Sequence, residues 1–73
     1  MSPLQQKALR AIFEELRGVK VGSPIPSERH LAEHADVTRT VIRGLMASLA
    51  KDGVIRRKGR NWALYAPIKP SLL

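Results

Sequence analysis

Three helices followed by a two-stranded hairpin is the fold class that the sequence predicts, mainly α with a small β wing. Three observations carry it. Apolar residues recur at helical spacing in three segments. The period changes after Gly53, where two short strand-like runs follow. Lys58-Gly59-Arg60 lies between those runs, a three-residue connection with a central glycine.

Ser2-Pro3 reads as an N-cap followed by proline in the first turn of helix 1. Leu4, Ala8, Leu9, Ile12, Phe13 and Leu16 form its apolar stripe, and Gly18 is its expected C-terminal stop. Val19 to Pro26 holds Gly22, Pro24 and Pro26 and reads as a loop. Ser27 caps helix 2, with Glu28 in the favourable first turn and Leu31, Ala32 and Ala35 turned inward. Asp36 and Val37 make a tight turn, and Thr38 caps helix 3. Val41, Ile42, Leu45, Met46 and Leu49 give helix 3 a wide apolar face that runs to about Lys51 or Asp52, with Gly53 as its stop. Val54–Arg57 and Asn61–Tyr65 are the two strands. Two short helices joined by about three residues are a helix-turn-helix, and a basic hairpin after them makes it winged. Residues 1–66 are expected to be this domain, and 67–73, with Pro67 and Pro70, a linker or tail.

The chain has 73 residues, enough for one small domain whose core supplies no more than about 3–5 kcal/mol. That size rules out a deep, multi-walled active site. Thirteen Lys and Arg against six Asp and Glu leave a net charge of +7, which points to a polyanionic partner. The charge is uneven. Residues 1–35 carry five basic and four acidic side chains, and residues 36–73 carry eight basic against Asp36 and Asp52. The second half is therefore the expected electrostatic face. There is no cysteine, which excludes disulfides and thiolate metal sites. No apolar run approaches the length of a membrane span, and the N-terminus does not read as a signal peptide. The expected location is the cytoplasm or nucleoid.

Pro26-Ser27-Glu28-Arg29, Leu31-Ala32-Glu33 and Val37-Thr38-Arg39-Thr40-Val41-Ile42-Arg43 stand in register, and Leu49-Ala50-Lys51-Asp52-Gly53-Val54-Ile55 continues the pattern. These segments resemble the DNA-binding domain of the GntR family of bacterial transcription regulators, from about Leu4 to Pro67. Pro-Ser-Glu-Arg nine residues ahead of Thr-Arg-Thr is the most specific part. The resemblance implies that Arg29 touches phosphate or a base edge. It also implies that Arg39, Thr40 and Arg43 lie on the recognition helix and that Lys58-Gly59 approaches the minor groove. The chain departs from the usual pattern at His30, where a glutamate would complete a capping box with Ser27. It departs also at Ala35, at Asp36 in place of glycine, and in the wing, which keeps Gly59 alone of a Gly-x-Gly. Family members carry a C-terminal effector-binding and dimerisation domain. The expectation is that these residues are an excised fragment, or a regulator that lost it.

The residues themselves support the same face. On a helical wheel the apolar side chains of helix 3 fall within about 140°, and Thr40, Arg43, Gly44, Ala47 and Lys51 lie opposite. Long cations at the ends with small residues between them suit a helix pressed into a major groove. An ordinary solvated face is the alternative. Arg29 and Arg39 sit in first turns, where a cation is disfavoured but an anion is welcome. Pairing of Arg29 with Glu33, or of Arg39 with Asp36, is the competing explanation. Gly44 in mid-helix either permits close approach to DNA or is drift. Arg56 and Arg57 point to opposite faces of the hairpin, so Lys58 and Arg60 are the stronger candidates there. A solubilising edge strand is the alternative for that cluster. Trp62 and Leu64 share a face and are expected to cover the core. His30 and His34, at i and i+4, are expected to be a surface pair with no third metal ligand. Glu14-Glu15 reads as a solvated face.

The sequence thus predicts sequence-specific binding of double-stranded DNA by a regulator, not an enzyme, with neither cofactor nor metal. The recognition helix is about 39–52 and the wing 56–62. The candidate DNA-binding residues are Arg29, Thr38, Arg39, Thr40, Arg43, Lys58, Gly59 and Arg60. A palindromic operator, a homodimeric full-length regulator and repression by promoter occlusion are expected, with no membrane partner. The rival class is a winged helix that serves as a protein-interaction or assembly module, its basic face meeting an acidic partner.

Overall fold

The computed structural model describes residues 2–66 and contains three helices and a hairpin: α1 (Pro3–Leu16), α2 (Glu28–Ala35), α3 (Arg39–Lys51), β1 (Ile55–Lys58) and β2 (Asn61–Leu64). The expected tail, 67–73, lies outside the described residues.

Each helix begins on a side-chain cap. The Ser2 hydroxyl accepts from the Gln5 N–H at 3.2 Å, and the Gln5 side chain accepts from the Ser2 N–H at 3.0 Å, a full capping box. Ser27 accepts from the His30 N–H at 3.1 Å but gains no reciprocal bond, because histidine stands where a glutamate would reach back. Thr38 accepts from the Val41 N–H at 3.4 Å. The stops are less uniform. Gly53 ends α3 with φ 80°, the left-handed conformation that glycine adopts without penalty. Gly18 is not such a cap. α1 stops at Leu16 with a right-handed Arg17, and the chain is turned by Val19 N–H bonding to the Leu16 carbonyl at 3.1 Å. Positive φ falls later, at Gly22.

Between α2 and α3 the turn runs through Asp36, which holds φ 57° and ψ 48°. The Val37 N–H reaches the Ala32 carbonyl at 3.1 Å and satisfies the end of α2. Asp36 therefore adopts the left-handed state that glycine would adopt more readily.

All three helices enclose one core. Ile12, Leu16, Leu31, Ile42 and Met46 are fully buried in it, and Ile55 joins them from β1. α1 packs on α2 and α3, and β1 packs on α3, so α3 is held from two sides with its polar face outward. Leu4 does not join the core. It is 49% exposed at the start of α1, one turn beyond the part of the stripe that α2 and α3 cover.

The hairpin differs in two ways from the sequence reading. Its register pairs Lys58 with Asn61, so the turn has two residues, Gly59 and Arg60, and the strands shift to Ile55–Lys58 and Asn61–Leu64. Gly59 takes φ 65° and Arg60 does not take positive φ. That is the arrangement of a hairpin turn with glycine in its first central position. The second difference lies on the far side of β2. The segment read as a loop adds a rudimentary third strand, with Pro24 bridging Ala63. Ile25 N–H bonds to the Trp62 carbonyl at 3.0 Å, and Leu64 N–H bonds to the Ser23 carbonyl at 3.1 Å. Among the described residues β2 is therefore central and β1 is the free edge. Two prolines hid this strand, because an edge segment tolerates proline where a central strand does not.

Candidate nucleic-acid interface

Arg29, Thr38 and Arg39 meet at the mouth of the helix-turn-helix. They line one open groove with Ala32, Glu33, Asp36 and Val37, between the start of α2 and the start of α3. Arg29 Nε donates to Glu33 Oε1 at 3.3 Å, both side chains largely exposed. The expected competing pair is thus present, though an exposed i,i+4 pair is readily given up for a phosphate. Arg39 forms no ion pair with Asp36 among the described residues, and its side chain is open to solvent. Thr38 spends an acceptor lone pair on the α3 cap and keeps its hydroxyl proton for a donor role.

Along α3, Thr40, Arg43, Gly44, Ala47 and Lys51 are all exposed, as the wheel predicted. A methyl built on Gly44 would meet nothing within 4 Å among the described residues. Gly44 and Ala47 therefore form a low strip between Thr40 and Arg43 at one end and Lys51 at the other. Arg43 is not free. Its Nε donates to Glu28 Oε2 at 3.3 Å, across from α3 to the first residue of α2.

The wing carries its cations in fixed postures. The Arg56 guanidinium stacks on the Tyr65 ring at 3.6 Å from the centroid, and that of Arg57 on the Trp62 ring at 4.2 Å. These are opposite faces of the hairpin, as alternation requires. Arg57 Nη1 also donates to the Arg60 carbonyl at 3.3 Å, which ties the turn to the strand. Trp62 is half-buried against the core, and its indole nitrogen has no partner among the described residues. Lys58 closes β1 and does not sit at the tip. Its Nζ donates to the Gly22 carbonyl at 3.4 Å. Gly59 and Arg60 form the exposed end.

Between α1 and α2 the two histidines stack in parallel, 6.4 Å between centroids. His30 Nε2 and His34 Nδ1 each lie 3.4 Å from Glu15 Oε1. Glu15 is therefore a half-buried link between helices and not part of a solvated face. Among the described residues no group of three or more His, Asp or Glu is arranged to hold a metal ion. Nor is any helix among them long and apolar enough to cross a membrane.

Sequence reasoning missed these long-range contacts, those of Glu15 with the two histidines among them. Glu28–Arg43, Lys58–Gly22 and Pro24–Ala63 join positions far apart in the chain, and no periodicity reports such pairs.

Residues 4–62 match the model for bacterial regulatory proteins of the gntR family. The chain belongs to that family. It is 34% identical over 65 residues to the HTH-type transcriptional repressor PhnF of Mycolicibacterium smegmatis, covering 88% of this chain and 27% of that protein. It is 25% identical over 61 residues to the probable HTH-type transcriptional regulator LgoR of Escherichia coli, covering 84% of this chain and 20% of that protein. The solved structure of Streptococcus agalactiae GntR superposes with a TM-score of 0.72 at 34% identity, covering 86% of this chain and 32% of that one. The crystal structure of PhnF from Mycobacterium smegmatis gives 0.67 at 30% identity, covering 88% and 27%. The chain thus spans about a quarter of the length of the curated relatives it matches. Its three helices and antiparallel hairpin form a GntR winged-helix domain, the DNA-binding domain of a transcriptional regulator. Its relatives are named as transcriptional regulators. Nothing in the comparisons supports the protein-assembly alternative.

Proposed function

We propose that this GntR-family domain reads a specific duplex sequence with α3 in the major groove and the wing on the backbone or minor groove. Arg39, Thr40 and Arg43 address base edges, while Arg29, Thr38, Lys58, Gly59 and Arg60 hold the sugar-phosphate backbone. The supporting observation is the exposed face of α3. Its glycine and alanine strip lies between long cations, with open space above Gly44. Such a face admits a base-pair edge at close range and brings positive charge to both flanks.

The operator is a palindrome and the full-length regulator a homodimer, since two symmetric copies read two half-sites. By the same reading the regulator represses by covering a promoter; the PhnF relative is itself named a transcriptional repressor. It acts in the bacterial cytoplasm, where its DNA is. It has no catalytic activity, requires neither cofactor nor metal, and residues 1–66 are the whole binding unit.

Selection of bound duplexes from a random pool, followed by titration at several salt concentrations, tests this. The expected result is an enriched motif with binding that weakens steeply as salt rises. Equal affinity for every duplex would reject base reading by α3.

A further inference from the structure

We propose that Glu28 is a positioning residue that sets the base-reading posture of Arg43 and lowers the affinity of the domain for DNA of the wrong sequence. The inference rests on the reading of α3 as the groove helix.

Glu28 opens α2, where a carboxylate is favoured by the helix N-terminus, and sequence reasoning explains it no further. Its surroundings ask for more. Its side chain is only 18% exposed, whereas those of Arg29 and Glu33 on the same helix are 78% and 69% exposed. Glu28 does not pair along its own helix. Its Oε2 receives Arg43 Nε from α3 at 3.3 Å, fifteen residues away. Arg43 is 66% exposed, so solvent screens the pair and its contribution to stability is small.

Arginine has five N–H donors in one plane. Spending the Nε proton on Glu28 leaves the terminal Nη1 and Nη2 groups together at the far end. That fork is the one that matches the O6 and N7 acceptors of guanine. The contact also holds the guanidinium before DNA arrives, which reduces the ordering needed on binding. At 3.3 Å it is longer than a tight charge-assisted bond, so it orients Arg43 without locking it.

The charge balance gives the second consequence. Beside Glu28, Arg43 offers phosphates no net cation. On DNA of the wrong sequence the pair is neutral and releases few counterions. On the right sequence the fork finds its guanine and the pair regains what it withheld. Specificity is a difference of two affinities, and a carboxylate here lowers the unwanted one.

The test uses Glu28→Gln, Glu28→Ala, Arg43→Ala and the double variant Glu28→Ala/Arg43→Ala in the full chain. The probes are the duplex that the wild-type chain selects from a random pool and a scrambled duplex of the same composition. Circular dichroism and a thermal melt establish that each variant is folded, and the isosteric Glu28→Gln stands in if Glu28→Ala is not.

Glu28→Ala is expected to lower the ratio of selected to scrambled affinity by about tenfold, and Glu28→Gln to lower it by less. Scrambled DNA should bind more tightly, with the salt slope steeper by about one unit. Glu28→Gln should retain more of the ratio than Glu28→Ala, since its amide oxygen still accepts from Nε. The double variant should match Arg43→Ala in its ratio. A ratio unchanged in Glu28→Gln, with Arg43→Ala still lowering it, overturns the proposal and leaves base reading by α3 intact. Equal weakening on both duplexes in step with a lower melting temperature makes the pair structural and overturns it too. An unchanged ratio in Arg43→Ala rejects the groove reading itself, and the proposal with it.

Discussion

Lys58 Nζ reaches from the end of β1 to the Gly22 carbonyl, 3.4 Å away and on the far side of β2. The bond crosses the sheet and ties the wing to the segment that carries the rudimentary third strand. One proton of the ammonium is used and two remain for phosphate. Lys58→Ala should therefore weaken binding to every duplex by a similar factor and lower the salt slope by about one unit. It should leave sequence preference unchanged. Titration of two unrelated duplexes over a salt series measures both effects. A variant that altered preference instead would put Lys58 at a base edge.

Asp36 gives a prediction independent of DNA. It holds φ 57° between the two helices of the helix-turn-helix. A side chain in that region costs about 1 kcal/mol, and glycine removes the cost at the expense of a freer unfolded chain. Asp36→Gly should therefore raise stability only slightly, by up to about 0.5 kcal/mol. Urea denaturation is the measurement, with an unchanged slope required for the gain to count. A loss would mean that the carboxylate contributes more to the turn than its backbone costs.

The fold was legible where local chemistry decides it. Ser2, Ser27 and Thr38 each cap the helix that their position announces, and the stripes of α2 and α3 face the core. The chain misled where a residue type has two uses. Gly18 looked like a cap but the helix closes without it, and Pro24 looked like a loop but sits on a sheet edge. The faces of the candidate site were readable from periodicity, as was the i,i+4 pair of Arg29 with Glu33, but its long-range pairings were not. Arg43 meets Glu28 only because two helices cross, and Glu15 meets both histidines only because α1 packs on α2. Such contacts follow from tertiary packing, which spacing along the chain does not encode.

Two copies of the domain are expected to bind better when joined. A single module buries only on the order of 600–1,000 Å² against DNA, which supports weak binding. A flexible covalent link converts the second contact into an intramolecular event at millimolar effective concentration. A tethered pair should bind a palindromic duplex at least about a hundredfold more tightly than the single chain does. On a duplex with one half-site the gain should be close to the statistical factor alone. Equal gain on both duplexes would reject a symmetric operator.

Gly44 separates the docked face from an idle one. It lies in the interior of α3, where glycine costs about 1 kcal/mol relative to alanine. Among the described residues an added methyl would touch nothing within 4 Å, so they give no reason for glycine there. Gly44→Ala should therefore raise stability by about 0.4–1 kcal/mol, since alanine restricts the unfolded chain and suits the helix. The Ser48 hydroxyl already bonds to the Gly44 carbonyl at 3.3 Å, and a methyl on Cα leaves that bond in place. Binding carries the second half of the argument. If the strip formed by Gly44 and Ala47 faces a base-pair edge, the methyl holds the helix away, and affinity for the selected duplex falls while the melting temperature rises. A thermal melt and a titration on the same variant read both. Higher stability with intact affinity would move the docking axis toward Arg39 and Thr40 at the start of α3, and would leave Gly44 without a role in recognition.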